Sequence, residues 1–194
     1  MRFNSFKECK DFILSDAFRY NGNYGILAFI RLYFVTIGFR YTVWMRLCSY
    51  LMTRKFLLPL YVLSIIRLKH LSYKSGIQIS WKTSIGKGFY IGHFGTVVIS
   101  PNAVIGNNVN ISQGCCIGAA NRGARKGTAK IGDCVYLAPG CKVIGKVVIG
   151  NNVCVGANAV VTHDIPSEAC VGGVPAKILS MDGIDAYVDK TVLV

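Results

Sequence analysis

Acidic residues are the scarcest feature of this 194-residue chain: nine Asp and Glu stand against 22 Lys and Arg, a formal net charge of +13. Between Asp16 and Asp133 there is no carboxylate at all. The imbalance is steepest in residues 1–76, where twelve Lys or Arg face only Glu8, Asp11 and Asp16, a net +9. A basic face of this kind attracts polyanions, membrane phospholipid and phosphorylated substrates foremost, or is simply solvated. The chain has no RNA- or DNA-reading motif and no basic helix with base-contacting polar residues, which argues against nucleic acid. Long apolar runs are also missing. Arg31, Arg40, Arg46, Arg54, Lys55, Arg67 and Lys69 interrupt the apolar region, leaving Leu32–Phe39 and Phe56–Ile66 as its longest unbroken stretches. A spanning helix needs about 20 residues, so no transmembrane segment is expected. None of the eight cysteines forms a CxxC pair or a Cys/His cluster with zinc spacing. With no cleavable leader at the N-terminus, they read as small core residues of a cytoplasmic protein, with association at the inner membrane face left open.

What the chain does have divides it into two regions. Its apolar content is 52% and its mean hydropathy +0.42, while most of the 21 glycines follow residue 75. Residues 1–76 read as an apolar, basic helical cap. Asn21-Gly22 marks a turn, Phe39, Val43, Leu47, Tyr50 and Leu51 share a helical face, and Pro59 suits the first turn of a last helix ending near Leu71. Tyr33, Phe34, Phe39, Tyr41, Trp44 and Arg46 together resemble an interfacial membrane helix. Residues 24–74 are therefore candidates for peripheral membrane contact. The same face equally suits packing on the rest of the protein or on a sister subunit.

From residue 77 a period of six takes over. Aliphatic residues fall at Ile79, Ile85, Ile91 and Val97, restart at Ile99, Ile105, Ile111 and Ile117, and resume at Ile131, Leu137, Val143, Ile149, Val155 and Val161. The following residue is repeatedly small, as at Gly86, Gly106, Gly132, Ala138 and Gly150. Neither the helical period of 3.6 nor the strand period of 2 produces this. A short strand followed by a tight turn does, and three such units close one triangular coil of about 18 residues. The fourteen positions predict about five stacked coils, a mainly β parallel β-helix over residues 77–178. The open ends of such a solenoid need covers. The N-terminal helices can cover the first coil, and the C-terminal tail, residues 179–194, can fold back over the last.

Two irregularities break the ruler. It slips by two residues at Val97–Ile99, just after Gly92-His93-Phe94-Gly95, and it lengthens from six to fourteen between Ile117 and Ile131. The insert near 119–130 carries Arg122, Arg125 and Lys126 with no apolar content, so a protruding, mobile loop is expected. Departures from a scaffold's rule are where function concentrates.

The segments IGKGFYIGHFGTVVI, NVNISQGCCIG and VVTHDIPSEACVGGVPAKI, within Ile77–Ser180, resemble the serine acetyltransferase branch of the left-handed β-helix acyltransferases. The resemblance implies a left-handed coil, a homotrimer, and acetyl-CoA as cosubstrate in a groove between neighbouring β-helices. It implies His93 as the catalytic general base, a role that suits a neutral imidazole taking the proton of an attacking hydroxyl. It places acetyl-CoA contacts at Gly118, Ala119, Ala138 and Ala157, with Lys177 as a candidate for a CoA phosphate. No metal is implied, since a three-histidine site would need more than His93 and His163 in the repeats.

Three departures bear on the acceptor. Gly92 stands where the family has an aspartate before the catalytic histidine. Gln78 aligns with a second aspartate that orients the imidazole, and Thr128 with a histidine in the insert. Gripping free serine calls for a carboxylate near its ammonium group. The repeat region around His93 has none, and the nearest are Asp11 and Asp16 on the helical arm. The short basic N-terminus and the GIQI approach at Gly76–Ile79 resemble instead the acetyltransferases of capsule, exopolysaccharide and O-antigen synthesis. The leading expectation is therefore O-acetylation of a sugar hydroxyl on a free or lipid-linked glycan, with serine O-acetylation as the alternative.

Overall fold

The computed structural model describes residues 2–184 and 187–193. Helix α1 spans Phe6–Asn21, α2 Ile26–Val35, α3 Ile37–Leu51 and α4 Leu58–Ser75. A capping box starts α1: the Ser5 hydroxyl accepts from the Glu8 amide, and the Glu8 carboxylate accepts from the Asn4 amide at 2.7 Å. Pro59 lies in the first turn of α4, which runs to Ser75. Its C-cap, Gly76, has φ of 69°, and a Cβ there would stand 2.9 Å from the Thr96 amide.

The remainder is a three-faced parallel solenoid. The first face stacks Ile77–Ile79, Val97–Ile99, Cys116–Gly118, Lys142–Ile144 and Val160–Val161. The second stacks Ser84–Ile85, Val104–Ile105, Lys130–Ile131 and Val148–Ile149. The third stacks Tyr90–Ile91, Asn110–Ile111, Tyr136–Leu137, Cys154–Val155 and Cys170–Gly172, then adds Lys177–Ser180 antiparallel. All fourteen ruler residues point inward and are buried. At about 25 cal/mol per Å² of buried apolar area, this column is the main cohesive element of the coils.

The polar edge between the second and third faces is laddered too. Asn107, Asp133, Asn151 and Ser167 each accept from a backbone amide of the preceding coil. Coil stacking is thus specified by corner side chains as well as by the column.

The slip at Val97–Ile99 is not a shift of register. Ile79 pairs with Ile99, and Ile99 with Ile117, so the strands stay aligned. The two extra residues lie in the corner between Ile91 and Val97, where Gly95 and Thr96 both have positive φ. The insert is less free than its composition suggests. Ala120 and Gly127 pair across it, Arg125 accepts from the Lys146 amide through its carbonyl, and its guanidinium meets Asp164 at 2.7 Å. The Val148 amide, and after it Arg125, hold the Asp164 carboxyl below the usual carboxylate range.

The helices cover the first coil with side chains as well as apolar contacts. The Tyr41 hydroxyl donates to Ile79 O at 2.8 Å and accepts from Ile79 N at 3.0 Å. Tyr20 does the same for Ile91 at 3.0 and 3.1 Å. Arg46 donates to Ile85 O and Gly86 O and forms a two-point ion pair with Asp16, whose carboxylate also accepts from the Phe89 amide. Each of the three edge strands is thereby closed by a side chain, which removes the unpaired rim that an open sheet presents. Arg46 and Asp16 have no exposed side-chain surface. Burial raises the Asp16 carboxyl, and the Arg46 charge opposes that rise. Gly38 lets α3 sit on the coil, since a Cβ there would stand 2.8 Å from Ile91 O.

These contacts correct the interfacial-helix expectation in part. Phe39, Tyr41 and Arg46 are buried, whereas Phe34 is exposed. Much of the exposed apolar surface of the helical region lies on α2 and on the segment Phe56–Ile66, where Phe56 is 100% exposed. Among the described residues no single helix is long and apolar enough to cross a membrane; α2 and α3 reach that length only as a pair bent by 103°. The eight cysteines are unpaired, and five of them are buried.

Beyond Ser180 the chain does not stop at the last coil. It runs back along the third face toward the helices. Gly183 donates to Glu168 O, Asn110 donates to Tyr187 O at 2.9 Å, and Asn108 exchanges two hydrogen bonds with Val192. The Tyr187 ring stacks on Tyr136 at 5.0 Å.

Candidate active site

His93 sits on the lengthened corner between the third and first faces, with its side chain exposed. The corner is pinned at its far side, where the Gly95 amide donates to Ser75 O and Gly95 O accepts from Gly114. That leaves Gly92–Phe94 looped outward. The strand pairing explains this shape: Ile79 pairs with Ile99 and Ile99 with Ile117, so the two surplus residues are looped out.

On its third-face side His93 borders a cavity of about 430 Å³. Its floor is the outward surface of the third face, including Tyr90 and Asn110, and its roof is the C-terminal tail at Tyr187–Lys190. Helix α1 contributes Arg19 and Tyr20, and the neighbouring corner contributes Ser112 and Gln113. Toward the helices His93 borders a second cavity, of about 400 Å³, with Thr36, Lys74 and Phe94.

The first cavity is unusually polar at its walls. Arg19 is 2% exposed; it donates to Gly88 O at 3.3 Å and Asn110 Oδ1 at 2.7 Å, and its Nε has no partner. Burial lowers the Arg19 pKa from its ordinary value, and the charge of Asp189 works against that. Burial first, and Asp189 second, raise the Tyr90 hydroxyl. Gln113 Oε1 is buried without a partner as well. Unpaired buried polar atoms each cost about 1–3 kcal/mol, and two of them, Arg19 Nε and Gln113 Oε1, belong to residues that line this cavity.

The cofactor candidates do not gather in one place on a single chain. Ala138 and Ala157 lie on the same edge as His93, in later coils, with Ala138 buried and Ala157 exposed. Gly118 ends a first-face strand and Ala119 opens the insert, on the opposite edge of that face. Lys177 begins the antiparallel strand at the far end of the third face and is exposed. Among the described residues no group of three or more His, Cys, Asp or Glu is placed to hold a metal.

Two of the carboxylate inferences change. Asp16 is committed to Arg46 and has no exposed surface. Asp189, absent from the sequence-based candidates, lies in the His93 cavity. It is 96 positions away in the chain, in a tail without repeats, so no local signal could have placed it there. Arg19, Tyr20 and Gln113 were missed for a related reason: the periodic pattern concerns inward residues, whereas these act through the outward surface.

The comparisons with known proteins fit the architecture. Residues 128–163 match the family model of the bacterial transferase hexapeptide (six repeats). A serine acetyltransferase of Staphylococcus aureus (strain Mu50 / ATCC 700699) is 41% identical over 110 residues, which cover 57% of this chain and 52% of the relative. One from Staphylococcus xylosus is 36% identical over 143 residues, or 74% of this chain and 65% of the relative. A solved serine acetyltransferase in complex with CoA superposes with a TM-score of 0.72 at 25% identity, covering 90% of this chain and 71% of that one. The chain spans about half the length of the first of these relatives. They lend no support to the resemblance to capsule and exopolysaccharide acetyltransferases. The chain is a left-handed parallel β-helix with a helical N-terminal region, carries the hexapeptide repeat of bacterial transferases, and is similar in sequence and fold to serine acetyltransferases.

Proposed function

We propose that the protein transfers an acetyl group from acetyl-CoA to the hydroxyl of L-serine, with His93 as general base. The observation that carries the reading is the position of His93: an imidazole on the outward corner of the coil, at the mouth of a polar cavity. An alcohol is a poor nucleophile until its proton is removed, and a positioned imidazole contributes about 10²–10⁴-fold to such a step. His93 takes the hydroxyl proton as the oxygen attacks the thioester carbonyl. The tetrahedral adduct then collapses, the C–S bond breaks, and the same proton passes to the CoA sulfur. No enzyme nucleophile is needed, because the thiol is already a competent leaving group. The names of the curated relatives support serine as acceptor, and the solved relative's CoA supports the donor. The sugar-hydroxyl alternative has composition and charge in its favour but no relative among those described above.

The split between the candidate cofactor residues supports a homotrimer. Gly118 and Ala119 on one edge and Ala138 and Ala157 on another could line one groove only if the first edge belongs to a neighbouring copy. The exposed Phe56–Ile66 segment, flanked by Lys55, Arg67 and Lys69, supports peripheral contact with an anionic membrane surface near the cytoplasmic face.

The deciding experiment follows CoA release from acetyl-CoA with L-serine and, separately, with a panel of free and nucleotide-linked sugars. Saturable turnover with L-serine alone is expected. Turnover with a sugar and none with L-serine would overturn the acceptor assignment while leaving the role of His93 intact.

A further inference from the structure

We propose that Cys154 and Cys170 form a peroxide-oxidisable dithiol on the outer surface of the third face, and that closing it to a disulfide loosens the start of the C-terminal tail. Both belong to the outward column of that face, one coil apart, and they face each other in register: Cys154 pairs with Cys170 and Val155 with Val171. Neighbouring strands lie about 4.7–4.9 Å apart, inside the roughly 4.4–6.8 Å Cα window from which a disulfide closes. The two thiols already interact across that gap. Burial first, and the Cys170 thiol after it, push the Cys154 thiol up to about 11.

The surroundings single out this pair. Cys115 and Cys141 stand close, with sulfurs 3.5 Å apart, but both are sealed in the apolar column. Cys116 and Cys134 are partly exposed, yet the strand neighbours of Cys116 are Val98 and Lys142, and Cys134 sits in a corner outside the strands. Cys170 alone is partly exposed with a thiol opposite it in the sheet.

The chemistry divides between the two residues. Hydrogen peroxide meets Cys170 as its thiolate and leaves it a sulfenic acid, one oxygen passing to sulfur and hydroxide departing. The Cys154 thiol, giving up its proton, attacks that sulfur; the S–O bond breaks and the hydroxyl leaves as water. Two thiols and one peroxide thus give one disulfide and two waters. Cys154 needs no solvent access, because its attack is within the chain.

The effect falls on the tail. Cys170 Sγ donates to Gly183 O at 2.7 Å, and the Gly183 amide donates to Glu168 O at 2.9 Å. These two bonds hold the turn that follows the antiparallel strand Lys177–Ser180. Gly183 has φ of 67°, and a Cβ there would stand 2.8 Å from the Glu168 carboxylate, so the turn has little slack. A disulfide sulfur carries no hydrogen, so oxidation removes the bond to Gly183 O. The chain beyond that turn supplies Tyr187–Lys190, the roof of the cavity beside His93. Oxidation therefore acts on that roof, whatever the acceptor beneath it.

The test uses the full chain, reduced and then treated with hydrogen peroxide, and reads free thiols, non-reduced peptide masses and hydrogen–deuterium exchange. Expected are the loss of two free thiols, a peptide pair joined through Cys154 and Cys170, and exchange at the Gly183 amide faster by roughly five-fold, the effect of one lost hydrogen bond. Dithiothreitol should reverse all three. Cys170→Ala, which removes the donor without making a disulfide, should show the faster exchange before any peroxide is added. Cys170→Ser, which keeps a donor, should hold the reduced wild-type rate before and after peroxide. Cys154→Ser should abolish the joined peptides. A Cys115–Cys141 link, or oxidised thiols with no link, would overturn the dithiol assignment. A Cys154–Cys170 link with unchanged exchange at Gly183 would overturn its coupling to the tail.

Discussion

The helical cap and the coiled body are held together by different means. In the coils, cohesion is repetitive: one inward aliphatic per strand, one corner amide satisfied by the next coil, the same pattern from Ile79 to Val161. In the cap it is singular. Tyr20, Tyr41 and Arg46 each close a different edge strand, with no ladder of equivalent residues behind them. A repeated interaction is insensitive to the loss of one member, whereas a contact made once has no substitute. The cap should therefore fail at single polar residues and the body only at its column.

Asp16→Ala should have the largest structural effect. It leaves the Arg46 guanidinium buried without its counter-ion, and breaking such a pair costs about 3–5 kcal/mol. Urea unfolding should show the loss, with tryptophan fluorescence, which reports on Trp44 and Trp81 near the junction, moving ahead of far-ultraviolet circular dichroism. Coincident curves would mean that cap and coils are one cooperative unit. Ile111→Ala, in the middle of the column, should cost about 2–5 kcal/mol, by lost burial and the cavity left behind. Its two optical transitions should stay together. Arg125→Ala should matter least. The Arg125–Asp164 pair is about half exposed on each side chain, with 45% and 55% of their surface accessible, and solvent screens such pairs to little net effect. A shift in the urea midpoint as large as that of Ile111→Ala would show that the insert is structural.

The same difference decides what could be read from the sequence. The column was legible because a strict period of six leaves its mark in the order of residues, and every one of its positions is buried. The corner that carries His93 was legible because it interrupts that period. The cap was legible only as helices: Arg46 looks in sequence like one more surface cation, and only the packing of α1 and α3 on the first coil makes it a buried partner of Asp16. The insert looked mobile because its anchors, Asp164 and the Lys146 amide, belong to the following coils. Asp189 lay beyond reach altogether, since its place depends on a tail that folds back over a surface the repeat leaves unspecified.

The central claim is that the His93 imidazole removes the proton from the acceptor hydroxyl, and the most direct test is single-turnover transfer from acetyl-CoA to L-serine by the wild type and by His93→Gln. The account predicts a rate lower by about 10²–10⁴-fold, with acetyl-CoA affinity and the thermal midpoint unchanged. A variant that transfers acetyl groups within a few-fold of the wild-type rate would contradict it.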